Sequence, residues 1–373
     1  MVLTKSLHSN LSLVHKRGIH DVVKRSTAGE IFVKQGPGGR SSVSGHVSTV
    51  FGCTGFLGRY LVNNLGKKGT QVVIPYRGND DDKRHLKLMG DLGQIVPLRF
   101  DIRNETQIAE CVRHSDVVYN LVGRDFTTKN FSFEAVHVDG ARRLARIARE
   151  EGATKFIHVS ALNADVNSTS AFLRSKALGE IAVREEFPEA TIVRPGYMYG
   201  KEDKFWNRFG WWTKWVPGPT PIPNGGKTLL RPVYVGDVAK ALAAMESDSQ
   251  VAGKIVELYG PYEYRYGNLF KFFCDMAMHP HETFPVPKAV YKLFGRALDT
   301  VMVFPHITAD EVERLYINDQ ATPGALTFKD LSIEPLSVED TISRFVRLYR
   351  SNQFQHAPFE TILKKYQTTE WRV

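Results

Sequence analysis

Gly52, Gly55 and Gly58 stand at every third position of the stretch Gly52-Cys53-Thr54-Gly55-Phe56-Leu57-Gly58. Glycine at that spacing lets a backbone approach a phosphate closely. A Cβ at such a turn would hold a pyrophosphate away from a helix N-terminus, where unpaired N–H groups and the helix dipole attract anions. The chemistry therefore needs a strand before the turn and a helix after it. Residues 46–51 read as a buried strand, and Leu57, Tyr60, Leu61 and Leu65 recur at helical spacing. Gly52, Thr54, Gly55, Phe56, Leu57 and Gly58 are thus expected to cradle the pyrophosphate of a dinucleotide.

The end of the next strand selects which dinucleotide. Where an acid would accept hydrogen bonds from the adenosine ribose, this chain has Tyr76-Arg77-Gly78. A guanidinium binds a 2′-phosphate through paired charge-assisted hydrogen bonds, so Arg77 favours NADPH, with Lys83 and Arg84 as helpers. The plainer alternative is a solvated Arg77, with Asp80, Asp81 or Asp82 acting a few residues later. Asp101-Ile102 closes a third strand where the adenine would lie. Asn120-Leu121-Val122-Gly123 closes a fourth, its glycine letting the backbone pass beside the cofactor. Either could be a mere strand end, but ligands of open α/β sheets bind at successive carboxyl ends.

The elements that must position these residues alternate as a doubly wound parallel α/β sheet of Rossmann type requires. Strands are expected at 70–76, 95–100, 117–122, Lys155–Val159 and 191–194. Helices are expected at 105–114, 133–151 and Ala171–Glu186. Beyond Gly200 the alternation loosens through Pro217, Pro219, Pro221 and Pro223. A strand at 253–259 and helices at 269–278 and 309–316 then suggest a smaller, mixed C-terminal lobe. The expected division is a leader over 1–25, a linker over 26–45, the nucleotide-binding domain over 46–200 and the smaller lobe over 201–373.

Charge is unevenly spread over the 373 residues. Of the net +9, residues 1–40 supply seven basic side chains against Asp21 and Glu30, a net +5. The rest of the chain is close to balanced, which argues against a nucleic-acid surface. Leu3, Leu7, Leu11 and Val14 share one helical face, and no acid precedes Asp21. That is the composition of a mitochondrial transit peptide, with removal plausible near Arg17-Gly18-Ile19-His20; a disordered basic tail is the alternative. Cys53, Cys111 and Cys274 are too few and too far apart for a disulfide framework. No apolar run of transmembrane length occurs.

Ser160, followed by Phe172-Leu173-Arg174-Ser175-Lys176, resembles the short-chain dehydrogenase/reductase family in its extended or atypical form. In that family a serine after the fifth strand precedes a helix carrying Tyr-x-x-x-Lys. The glycine loop, Asp101-Ile102, Asn120 to Gly123 and Arg194-Pro195-Gly196 carry the rest of the resemblance, which covers about residues 46 to 260. The family's tyrosine gives or takes the proton during hydride transfer, yet this chain has Phe172 there. A positioned acid or base contributes on the order of 10²–10⁴ in rate. The resemblance therefore assigns Ser160, Lys176, Pro195 and Tyr197 to cofactor binding, not catalysis. Tyr197 and Tyr199 are conceivable substitute acids without a lysine one turn away. No metal-binding or nucleophile-elbow pattern is present.

Residues 201–215 hold four of the five tryptophans. Trp and Phe mixed with Lys and Arg suit a lipid headgroup surface, an aromatic protein interface or a wall between lobes. The leader, the glycine loop, Asn120 to Arg124, Phe172 to Lys176, Tyr199 to Asp203 and Arg231 to Ala239 together resemble the nucleotide-binding accessory subunits of mitochondrial respiratory complex I (NADH:ubiquinone oxidoreductase). That resemblance implies a peripheral matrix-side place on the inner membrane. It also implies other subunits of that complex as partners and one NADPH bound tightly for structure. Two alternatives stay open: an independent mitochondrial NADP-dependent reductase, epimerase or dehydratase, and a folded adaptor for RNA or protein.

Overall fold

The computed structural model describes residues 43–215, 218–301, 307–366 and 371–372, together with a short antiparallel ladder of Val22–Arg25 on Ile31–Lys34. The expected leader falls mostly on residues 1–21, outside the described residues. Seven strands form one parallel sheet: β1 Val47–Phe51, β2 Gln71–Tyr76, β3 Ile95–Arg99, β4 Val117–Asn120, β5 Lys155–Val159, β6 Thr191–Pro195 and β7 Ile255–Leu258. Their spatial order is β7-β6-β5-β4-β1-β2-β3. The order reverses between β1 and β4, which opens the crevice where α/β sheets bind ligands.

Helices cover both faces, so the central strands are apolar on both sides. On one face α1 (Phe56–Lys68) buries Leu57, Leu61, Val62 and Leu65 with Val238, Leu242 and Met245 of a later helix. Gly69 ends α1 at φ 78°, its N–H bonding Gly66 and Leu65 carbonyls. On the other face α2 (Glu105–Val112), α3 (Gly140–Glu150) and α4 (Ala171–Glu186) bury Ile108, Leu144, Ile147 and Val183. The helix expected from residue 133 begins there and passes through a π-type turn, Ala135–Asp139, before α3. A Cβ on Gly179 of α4 would lie 2.2 Å from the His137 carbonyl oxygen, so glycine there lets the π turn sit on α4.

Beyond residue 200 the chain first builds a second core and then returns to the sheet. In α5 (Phe205–Trp215) the side chains of Phe205, Trp206, Phe209 and Trp212 are buried. Trp206 stacks on Phe273 of α7 (Tyr266–Ala277), with ring centroids 5.8 Å apart. The indoles of Trp206 and Trp212 therefore belong to the interior, which of the three settings open to this segment favours the wall between lobes and removes these two from any headgroup contact. Helix α6 (Val235–Met245) then packs on α1, and β7 extends the sheet beside β6. Leu326 pairs with the free edge of β7: Glu257 N–H donates to the Leu326 carbonyl, and Leu326 N–H to that of Ile255. Helices α8 (Lys288–Val301) and α9 (Ala309–Arg314) complete the second lobe. Among the described residues no helix is long and apolar enough to cross a membrane.

Candidate functional site

The turn after β1 is built from backbone alone. Gly52 adopts φ +83° and accepts a hydrogen bond from Gly55 N–H at 3.0 Å. Gly55 opens α1 with no side chain capping it, so the first amides of the helix are left for a ligand. A Cβ on Gly58 would lie 2.5 Å from the Gly52 oxygen and 2.6 Å from Cys53 Cα. That glycine is fixed by helix–strand approach, whereas Gly55 faces open space apart from the Gly52 oxygen at 3.2 Å.

The cleft over this turn has two limbs. One is lined by Gly52, Thr54, Gly55, Arg77, Ile102, Leu121, Val122 and Gly123, joined by Pro75, Phe100, Arg124, Phe131 and Val136. The other runs past Phe56, Leu57 and Gly58 to Ser160, Lys176 and Tyr197. Pro195 lines the adjoining pocket with Ser160 and Tyr197. Asp101 and Asn120 line neither. Asp101 accepts from Arg103 N–H at 2.9 Å and so shapes the turn after β3. Asn120 is buried, accepts from Val122 N–H at 3.1 Å and donates to His158 Nδ1, which holds the Leu121–Gly123 segment at the crevice.

In the first limb the Arg77 guanidinium is exposed and lies 5.8 Å from the Phe131 ring, while Arg103 covers the same ring at 4.3 Å. Burial and the nearby Arg77 push the Arg124 guanidinium below its ordinary range. Two cations thus face one limb, which suits a polyanion. Lys83 is instead tied to Tyr76 Oη at 2.6 Å and Asp80 at 2.8 Å, and Arg84 to Asp81 at 3.3 Å. Lys83 is thus held by Tyr76 and Asp80, which also commits Asp80, whereas Arg84 and Asp81 are both exposed and pair only at the surface.

The second limb holds the buried polar groups. Lys176 is 5 % exposed and donates to the Val159 carbonyl at 3.0 Å. Burial pushes its ammonium down to about 8. Gly123 permits this approach, since its Cβ would be 3.1 Å from Lys176 Nζ. Ser160 Oγ and Tyr197 Oη are buried without a hydrogen-bond partner. Such orphaned groups are destabilising unless a ligand or water completes them, so this limb fits the ribose and amide end of a dinucleotide. His137 Nε2 accepts from Arg124 N–H at 3.0 Å. Its proton therefore sits on Nδ1 and is donated to Ser175 Oγ, which in turn donates to the Phe172 carbonyl. Burial pulls His137 down to about 2, so it is a neutral brace between the π turn and α4.

Phe172 projects toward the same limb with the Arg314 guanidinium 4.4 Å from its ring centroid and Lys176 Nζ at 5.9 Å. Asp310 of α9 caps the helix that carries it, accepting from Ser170 Oγ at 2.8 Å and Ala171 N–H at 2.6 Å. Arg208 and Glu311 form a buried pair at 2.5 Å in the lining of the same limb as Lys176. Tyr199 is fully buried, donating to the Ser337 carbonyl and accepting from Thr341 Oγ1. It is structural, which removes it as a substitute acid. Burial pushes the Tyr197 phenol up, away from any ready proton transfer. Arg314, Glu311 and Arg208 escaped sequence reading because they reach the cleft from the second lobe with no local motif. Among the described residues no set of three or more His, Cys, Asp or Glu side chains gathers as a metal site.

This arrangement has counterparts among known proteins. Residues 48–258 match the NAD dependent epimerase/dehydratase family. The chain is 42% identical over 363 residues to the Neurospora crassa NADH-ubiquinone oxidoreductase 40 kDa subunit, mitochondrial, covering 97% of this chain and 95% of that one. It is 42% identical over 328 residues to NADH dehydrogenase [ubiquinone] 1 alpha subcomplex subunit 9, mitochondrial, of Rattus norvegicus, covering 88% of this chain and 87% of that one. In fold it is similar to an Escherichia coli NADPH-dependent quinone oxidoreductase solved with NADPH, with TM-score 0.64 at 16% identity over 80% of this chain and 99% of that one.

Proposed function

The chain belongs to the NAD dependent epimerase/dehydratase family and, within it, to the group of the mitochondrial NADH–ubiquinone oxidoreductase subunits, and from that premise we propose that it is a non-catalytic accessory subunit holding one NADPH. Its partners are other subunits of respiratory complex I, and its place is peripheral, on the matrix side of the inner membrane. Phe172 carries the reading of no catalysis. Where the family resemblance puts a phenol, an aryl ring lies under Arg314; Tyr199 is held away by Ser337 and Thr341, and burial pushes up the Tyr197 phenol, which lines the cleft. The glycine turn, Arg77, Ser160 and Lys176 support resident NADPH. A ligand bound only by the native state stabilises it by mass action.

Native electrophoresis of mitochondrial membranes, with the bound nucleotide released from the isolated band, tests this function. The chain is expected in a large assembly that yields NADPH. A chain found free in the matrix, or one that turns over NADPH with carbonyl substrates, would overturn it.

Two variants test the cofactor assignment. Arg77→Asp replaces the 2′-phosphate donor by a repelling carboxylate and is expected to weaken NADPH retention roughly tenfold to hundredfold. NADH binding, measured beside it, should change little. Equal losses for both nucleotides would place the 2′-phosphate elsewhere.

Lys176 provides a pH test. Its folded ammonium titrates near 8 against an ordinary value of 10.5, so between those values the unfolded chain binds more protons. The Lys176 contribution to the stability of the nucleotide-free protein should therefore rise with pH across that window, because the slope follows the proton excess of the unfolded state. The buried thiols of Cys53, Cys111 and Cys274, pushed up to about 12, contribute the opposite slope, so the parent-minus-variant difference isolates Lys176. In Lys176→Met the rise is expected to vanish, and NADPH affinity to fall roughly tenfold or more. Thermal unfolding at stepped pH, with and without NADPH, reads both effects. A parent-minus-variant difference that stays flat across the window would assign the titration to another group.

A further inference from the structure

Helix α8 turns an apolar face outward. Val290 is 58% and Leu293 67% exposed, and Phe294 and Ala297 are exposed beside them on the same face. The orientation is fixed from behind. Tyr291 is buried in the second core, and a Cβ on Gly295 would lie 2.9 Å from Ala309 N, so the opposite face is packed closely on α9. Lys288 and Lys292 both bond Glu313 at 2.6 Å, which pins the flank of the helix. Rotation cannot bury the apolar face without breaking these contacts.

Basic residues of the helix itself border this face. Lys288, Lys292 and Arg296 follow one another at single-turn spacing along its edge. Between residues 283 and 306 the only acid is Asp299, whose carboxylate accepts from Ala309 N–H at 3.0 Å. The strand leading into the helix also exposes Phe284. The ridge itself, of Val, Leu, Phe and Ala, offers no side-chain hydrogen bond. A protein interface of ordinary kind carries about one hydrogen bond per 100–200 Å² and anchors on Tyr, Trp or Arg pockets. An outward aliphatic and aryl face with basic residues along its border is the pattern of a helix lying in a bilayer interface.

We propose that α8, through Val290, Leu293, Phe294 and Ala297 with Arg296 beside them, seats the protein on an anionic lipid surface. The apolar side chains enter the boundary between headgroups and acyl chains. Arg296 stays among the phosphates, with the partly exposed Lys288 and Lys292 behind it. This contact lies on α8 of the second lobe rather than on the tryptophans of α5, and it stands whether or not the nucleotide assignment is right.

Vesicle flotation of the full chain tests it, using phosphatidylcholine alone and phosphatidylcholine mixed with phosphatidylglycerol. Binding to the mixed vesicles and weak binding to the neutral ones is expected. Arg296→Gln should lower partition into the mixed vesicles about fivefold, and Leu293→Glu roughly tenfold or more. Both positions are exposed, so thermal unfolding should be unchanged. Residues 1–40 are themselves basic, so binding that survives Leu293→Glu undiminished belongs to that segment and overturns the proposal. Absence of binding, or equal binding to both vesicles, overturns it too. If Leu293→Glu instead releases the chain from a detergent-solubilised assembly while vesicles do not bind, the face belongs to a protein partner and the proposal is wrong.

Discussion

Gly58→Ala is expected to lower the melting temperature by several degrees and to release the nucleotide, although it adds a single methyl group. The new Cβ would meet the Gly52 oxygen at 2.5 Å and Cys53 Cα and oxygen at 2.6 Å. These are backbone atoms of the phosphate turn, so no side chain can rotate away. Relief requires the end of β1 and the start of α1 to separate, and overpacking of this kind costs about 1–3 kcal/mol. The upper end applies because the obstruction is rigid, and in a chain of this size about 3 kcal/mol moves the midpoint by several degrees. Gly55→Ala is the control. Its Cβ meets only the Gly52 oxygen, at 3.2 Å, and otherwise enters the space left for phosphates. That variant should keep its melting temperature without ligand and lose the rise that NADPH confers. Thermal unfolding of both variants with and without NADPH separates the two roles, and a Gly58→Ala protein with unchanged stability would refute the packing argument.

What the sequence made legible was local. The strand, glycine turn and helix at residues 47–68 are consecutive, so hydrophobic period and glycine spacing suffice to find them. The same holds for β5 and α4, whose bounds agree with the expected Lys155–Val159 and Ala171–Glu186. Non-local features were not legible. β7 joins the sheet some 60 residues after β6, across a lobe that interrupts the alternation, and a single strand carries no mark of its neighbour. The aromatic run 205–215 has the same composition whether it faces lipid or core. Packing of Phe209 on Phe270 and of Trp206 on Phe273 puts those two side chains in the interior. Asn120 stands at a strand end beside the crevice, and its amide bridges His158 and Val122 N–H, a side-chain direction that period cannot show.

Glu311→Ala is expected to destabilise the chain by about 3–5 kcal/mol, the usual consequence of leaving a buried charge without its partner. Arg208 is 5% and Glu311 6% exposed, and the two meet at 2.5 Å with Tyr266 and Tyr291 near the guanidinium. Arg208 donates to Glu311 through Nη1 and its Nε has no hydrogen-bond partner, so removal of the carboxylate leaves a cation that water reaches poorly. The loss should be strongly non-additive. Replacing both residues, as Arg208→Met with Glu311→Leu, removes two desolvated charges together and should recover most of the stability. Urea unfolding of the two single variants and the double variant measures that coupling. The pair also bears on the cleft, because Glu311 lies next to Asp310, the acceptor that caps α4 ahead of Phe172 and Lys176. If α9 is held chiefly by Arg208, then Glu311→Ala loosens the cap and NADPH should stabilise that variant less than it stabilises the parent. The double variant, with α9 packed by apolar contact, should regain the full ligand response. Recovery of stability without recovery of the ligand response would mean that the charges themselves act on the nucleotide, and a single-variant loss below about 1 kcal/mol would mean that solvent reaches Arg208.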